Sequence, residues 1–222
     1  MTPKIVGVIF SRGDLRRALR MRKPPDLFEL RLDRFAEGLA ALRAAIPRLA
    51  APFIITARHP AEGGTNNLSA AQRRALLLEF LPTARFIDVE LRSVPAFRSV
   101  LDEAAAQKVA TIISFHDFQT MPSPALLDQI AQRAISSGAR IVKVAARTDT
   151  RVQLETLLSF FNRQRRARVI AMGIGKLGRA SRLELARRGC VLNYVHLGSR
   201  AAPGQLSIEE LRRFAARAVA VS

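Results

Sequence analysis

The chain has 222 residues, 49% of them hydrophobic and 24% charged, and its 36 Lys and Arg against 18 Asp and Glu give a formal net charge of +18. That apolar fraction excludes a disordered basic tail, the single Cys190 excludes an intramolecular disulfide or a cysteine zinc site, and no apolar run approaches the roughly 18 residues of a membrane span. The expectation is one reduced, cytoplasmic domain over residues 1–222, long enough to bury roughly 70% of its unfolded surface.

Short apolar, β-branched runs recur at residues 4–10, 27–33, 52–58, 86–91, 109–116, 140–146, 168–173 and 191–197. Their hydrophobicity is nearly continuous, as expected of parallel strands covered on both faces. Helical spacing lies between them. Leu76, Leu77 and Phe80 share a face in 69–82, and Val152, Leu154, Leu157, Leu158 and Phe161 are read as one face in 149–161. Ser69, Asp149 and Ser207 read as helix starts, the last with Glu210 at capping-box spacing. This alternation predicts a single compact (β/α)8 TIM barrel of the α/β class. An open doubly wound sheet is the second choice, but it wants a glycine-rich loop after the first strand. The G-x-G-x-x-G letters occur only at Gly173–Gly178, after the seventh strand and without the acidic residue that should follow.

In such a barrel the chemistry belongs at the C-terminal ends of the strands. Of the five lysines, Lys143 alone sits inside an apolar strand, Ile-Val-Lys-Val-Ala. If it faces the lumen, a deprotonated amine there is a nucleophile able to form an imine with a ketone or aldehyde; the plainer alternative is a lysine paired with a carboxylate. His116 ends the fifth strand, where an imidazole can take and return a proton. Glu29, Arg31 and Asp33 alternate with Leu30 and Leu32 and point to one face. Arg58 ends the third strand before His59, Glu62, Gly63 and Gly64; His59-x-x-Glu62 is a weak metal spacing. Asp88 and Glu90 are expected to pair with lumen arginines. Arg182, opening the seventh helix, has the fork geometry to hold a carboxylate. Gln205 follows the turn after the eighth strand and could reach into the mouth as part of a lid.

Taken together, FELRLDRF (28–35), TARHPAEGG (56–64), ISFHDF (113–118), IVKVAA (141–146), MGIGKLGRASR (172–182) and APGQLS (202–207) resemble the type I 3-dehydroquinate dehydratases, Schiff-base barrels of the shikimate pathway. The resemblance implies dehydration of 3-dehydroquinate to 3-dehydroshikimate, with Lys143 as imine former, His116 as general acid/base and Glu62 orienting it. It further implies substrate contacts from Glu29, Arg31 and Arg58, a carboxylate clamp at Arg182 and a lid glutamine at Gln205. It implies no metal or added cofactor, a cytoplasmic enzyme and a homodimer. Three departures stand out: Ala201 and Val8 occupy places where the family often has serine, and the N-terminal hairpin that plugs the barrel floor in many members is expected to be missing. Large side chains or a partner subunit would then close the floor.

Two rivals remain at this point. A Schiff-base aldolase barrel would also use Lys143, with a phosphate site for which Gly173–Gly178 could be misread. A basic barrel binding nucleic acid or an acidic partner would use arginine clusters such as RQRRAR (163–168). The arginines are spread along the chain and not interleaved with aromatics, which favours a solvated surface.

Overall fold

The computed structural model describes residues 3–36, 38–164 and 168–219. Eight strands carry the barrel: β1 Lys4–Ile9, β2 Leu27–Arg31, β3 Phe53–Thr56, β4 Phe86–Glu90, β5 Ala110–Asp117, β6 Ile141–Arg147, β7 Val169–Ile174 and β8 Leu192–His196. A two-residue β9, Leu206–Ser207, was not expected. It pairs with β8 and closes the loop that precedes the last helix. All pairing is parallel, in the order β7-β6-β5-β4-β3-β2-β1-β8-β9. Among the described residues no ladder joins β7 to β8. Residues of both strands, Ala171, Met172, Leu192 and Tyr194, nonetheless line one small cavity at that seam, so the sheet curls round until its ends meet as a barrel.

The helices are α1 Arg12–Arg20, α2 Leu39–Ala45, α3 Ala70–Phe80, α4 Arg98–Ala106, α5 Pro124–Ser136, α6 Arg151–Arg163, α7 Gly178–Arg187 and α8 Ile208–Val219. Ser69 and Gln72 form a full capping box on α3, and Ser207 with Glu210 form one on α8. The start of α6 lies one residue beyond the expected Asp149. Thr150 is the N-cap, because its hydroxyl accepts from Gln153 N while Asp149 is drawn to Lys176 N. Val152 is 72% exposed and not part of the α6 core face. It stands five residues before Leu157, about 140° round the helix from it.

Strand alternation stacks the lumen in layers. Glu29, Thr56, Asp88, Ser114 and Lys143 touch one another there, and Val8, Met172 and Tyr194 line the same cavity. Two residues earlier on each strand stand Leu27, Ile54, Phe86, Ile112, Ile141, Val6, Ile170 and Leu192, all buried except the half-buried Phe86. An apolar layer drawn from all eight strands therefore lies directly beneath the polar one.

The glycines of Gly173–Gly178 serve packing. A Cβ on Gly173 would strike the Ser181 and Thr148 side chains, Gly175 has φ +112°, and Gly178 abuts Gly204 of the loop before β9. Gly173→Ala is expected to lower stability by about 1–3 kcal/mol through overpacking, read as a reduced midpoint in urea unfolding with unchanged far-UV circular dichroism.

Candidate active site

The middle of the lumen is an ion network. Lys143 Nζ donates to Asp88 Oδ2 at 2.9 Å and to Glu29 Oε1 at 3.3 Å. Arg58 holds Asp88 with both Nη atoms at 3.1 Å, and its Nη1 also donates to Glu90 Oε1 at 2.9 Å and Ser114 Oγ at 2.8 Å. Thr56 Oγ1 donates to Glu29 at 2.9 Å. Burial opposes every one of these charges, yet Arg58 and Lys143 hold the Asp88 carboxyl far below its ordinary range. Conversely Asp88, Glu90 and Glu29 hold Arg58 well above its own. The expected pairing of Asp88 and Glu90 with a lumen arginine is therefore present, and Asp88 does more: it is the nearest partner of the Lys143 amine.

Arg31 ends β2 and keeps its alternation, whereas Asp33 leaves the strand pattern. The chain turns into a 3₁₀ segment, Leu32–Arg34, immediately after β2. Arg31 pairs with Asp33 at 3.0 Å and donates to the Gly63 carbonyl. Asp33 accepts from Arg58 N and Thr65 N, so it organises the loop after β3 and does not face the cavity beside Glu29. In that loop Gly63 has φ +84°, and a Cβ on Gly64 would strike the Arg58 and His59 carbonyls. Those glycines allow the turn that brings Glu62 back over the rim.

Glu62 Oε2 accepts from His116 N at 2.9 Å and lies 3.1 Å from His116 Nδ1. An oxygen already accepting a backbone N–H accepts from the ring as well, which puts the imidazole proton on Nδ1 and leaves the Nε2 lone pair free. Burial, with Arg58 and Lys143 nearby, pushes His116 well below its usual pKa, so the ring is neutral. Burial also raises Glu62 to about 7. His59 stands apart: its Nδ1 accepts from Ala61 N, and among the described residues no group of three His, Cys, Asp or Glu is placed to hold a metal.

Arg182 sits at the seam, where Nη1 donates to the Tyr194 carbonyl at 3.4 Å and Nε has no partner. It is 8% exposed, and among the described residues no carboxylate pairs with it; burial lowers its pKa to about 10. Gln205 is buried, and its Oε1 accepts from Ala201 N at 2.8 Å, folding the 201–205 loop over the mouth. One cavity is lined by all eight expected site residues: Glu29, Arg31, Arg58, Glu62, His116, Lys143, Arg182 and Gln205. Val8 and Ala201 line it too, where hydroxyls were looked for.

Sequence reasoning missed Tyr194, whose ring lies 4.0 Å from Lys143 Nζ, and Arg73, which reaches in from α3 to Glu90 Oε2 at 3.2 Å. Ser114 and Thr56 were also missed, although each lies two residues before a residue already singled out, His116 and Arg58, and so shares its face.

The sequence model of the Type I 3-dehydroquinase family matches residues 12–216. The chain belongs to this family. It is 34% identical over 212 residues to the 3-dehydroquinate dehydratase of Thermococcus gammatolerans, covering 94% of this chain and 96% of that one. The solved 3-dehydroquinate dehydratase of Geobacillus kaustophilus superposes with a TM-score of 0.86 at 26% identity, covering 99% of this chain and 92% of that one. The Type I enzyme of Clostridium difficile gives 0.87 at 24% identity, covering 100% and 94%. This dehydroquinase is a carbon–oxygen lyase that removes water from 3-dehydroquinate to give 3-dehydroshikimate.

Because the lumen charges balance only as a set, removing one leaves others buried without a partner. Arg58→Met is expected to lower unfolding free energy by about 3–5 kcal/mol, measured by urea titration, and by clearly more than Arg43→Met, whose partner Glu79 lies on the surface at 2.5 Å.

Proposed function

We propose that Lys143 carries the dehydration as an imine, with His116 as general acid and base and Glu62 as its orienting partner. The observation that supports this most directly is a buried amine sharing one cavity with a neutral histidine whose Nε2 is free. The amine, once deprotonated, adds to the ring ketone, and loss of water from the carbinolamine gives an iminium. His116 Nε2 then takes the proton from the adjacent carbon, and the electron pair of that C–H bond moves into the iminium to form an enamine. The enamine expels the β-hydroxyl, which leaves as water with the proton that His116 returns. Water hydrolyses the conjugated iminium, releasing 3-dehydroshikimate and the free amine, so His116 ends as it began.

Substrate contacts follow from what each side chain has left to offer. Arg182 is a buried cation without a counter-ion among the described residues, which suits the substrate carboxylate. Glu29, already bound by Thr56 and Lys143, and Arg31, fixed by Asp33, reach the polar ring substituents. Arg58 contributes mainly by holding Asp88 and Glu90. Gln205 closes the mouth. The aldolase alternative loses its phosphate loop, since the Gly173–Gly178 glycines are used in packing. In the basic cluster 163–168, Arg163 pairs with Asp128, and Arg165 and Arg166 lie outside the described residues. A single domain, a cytoplasmic site and a homodimer belong to the same reading and rest on the resemblance; for the dimer, light scattering of the purified protein is expected to give twice the chain mass, and a mass equal to the chain would overturn it.

With 3-dehydroquinate and borohydride, the protein should gain covalent mass at Lys143, and Lys143→Ala should lose both the adduct and the rise in enone absorbance of the product. Retained turnover in Lys143→Ala would sink the mechanism. Glu62 must be a carboxylate to accept from His116, and its pKa is raised to about 7 by burial. Its active form is therefore lost as pH falls, and kcat/KM should decline on the acid side with a midpoint near 7. Arg182→Ala is expected to raise KM by roughly 10-fold or more through loss of a charge-assisted contact, with the adduct at Lys143 still formed at high substrate.

A further inference from the structure

Glu62 and His116 form a wall between two spaces. Inside is the substrate cavity. Outside, over the ends of β4 and β5, the same pair lines a second cavity of about 430 Å³ together with Arg92, Phe118, Leu126 and Arg133. The two oxygens of Glu62 are divided between these sides. Oε2 serves His116, and Oε1 has Arg92 Nε at 3.8 Å. Arg92 belongs to the 3₁₀ turn Leu91–Ser93 directly after β4. Its side chain is 50% exposed where that of Glu62 is 6%.

We propose that Arg92 is a positioning residue for the dehydration, holding Glu62 from outside the barrel in the carboxylate form that His116 requires. The inference rests on the Glu62–His116 reading above. Charged groups face Glu62 from each neighbouring element. Arg58 after β3 and Arg92 after β4 favour the carboxylate, Glu90 at the end of β4 opposes it, and the His116 backbone N–H on β5 favours it. Arg58 is committed to Asp88 and Glu90. Arg92, by contrast, has Glu62 as its only ion-pair partner among the described residues. Burial acts against the carboxylate more strongly than any of these charges acts for it, so the protonation balance sits near neutrality and a modest external cation moves it where it matters. Arg92 does not line the substrate cavity, so its influence passes through Glu62 alone.

The test is the pH profile of Arg92→Gln and Arg92→Lys. A contact near 4 Å with one partner half in water should move the acid limb of kcat/KM by about half to one pH unit. In Arg92→Gln the limb should therefore move up by that amount, cutting kcat/KM about three- to eight-fold at pH 6.5 and less than two-fold at pH 8.5. Arg92→Lys should restore the limb. A limb that stays in place in Arg92→Gln overturns the proposal, and so does an equal loss of rate at every pH, which is what a merely structural role would give. Glu62→Gln separates this from the underlying reading. If the acid limb survives in Glu62→Gln, the role of Glu62 itself is wrong. If it vanishes there yet does not move in Arg92→Gln, only the role of Arg92 is wrong.

Discussion

Asp88 Oδ2 accepts at once from Lys143 at 2.9 Å and from Arg58 at 3.1 Å, and the rest of the lumen is arranged around that shared oxygen. A buried ammonium cannot be held without a carboxylate, and a buried carboxylate cannot be held by an ammonium alone when its second oxygen is also out of water. Arg58 satisfies that second oxygen and brings in Glu90, which in turn requires Arg73 and Ser93. The result pairs Lys143, Arg58 and Arg73 with Glu29, Asp88 and Glu90, equal numbers of each sign. Such a network adds little net stability over an apolar core of the same shape. What it secures is geometry: an amine fixed between β2, β4 and the Tyr194 ring, where a ketone can be placed against it.

The rim above is built on the opposite principle. His116 and Glu62 meet with little net charge between them, the ring held neutral by burial among cations and the acid raised by burial to about 7. A base must be free of its proton before it can take one, and a ring held neutral by burial meets that condition. The full pairing that locks Asp88 as a permanent anion would defeat that purpose. Two steps along β5 separate Ser114, which donates to Asp88 at 2.6 Å, from His116. Over that distance the environment changes from fully compensated charge to nearly neutral hydrogen bonding, and Arg182 at the seam completes the contrast as a buried cation with no carboxylate partner among the described residues.

Much of this was legible in the sequence because barrels encode position by parity. Once β6 is read as a strand, Lys143 and Ala145 share a face, and the same alternation selects Glu29 and Arg31, Asp88 and Glu90, Ser114 and His116. The strand positions were legible because runs covered on both faces are nearly uniformly apolar. What failed was whatever depends on where a strand stops. Asp33 was placed in the lumen by continuing the alternation, but the chain has already turned into a 3₁₀ segment there. Val152 was placed on the core face by its apolarity, without the spacing that would put it there. Arg73 and Arg92 were invisible for another reason: with 31 arginines in the chain, only the three-dimensional position tells a guanidinium that reaches Glu90 or Glu62 from one that is solvated.

That abundance of arginine bears on the chemistry. An arginine keeps its proton under all physiological conditions and cannot form an imine, whereas a lysine can lose its proton and does. Of the five lysines, Lys4 begins β1 at the opposite end of the barrel from the site, Lys23, Lys108 and Lys176 lie in loops and turns, and Lys143 alone is buried. A surface made basic with arginine therefore supplies positive charge, which favours the approach of an anionic substrate, without offering that substrate's ketone a competing buried amine. The charge excess and the single lumen lysine are separable properties of the chain: the first acts through the field outside the barrel, and the second depends on a lumen in which the signs balance.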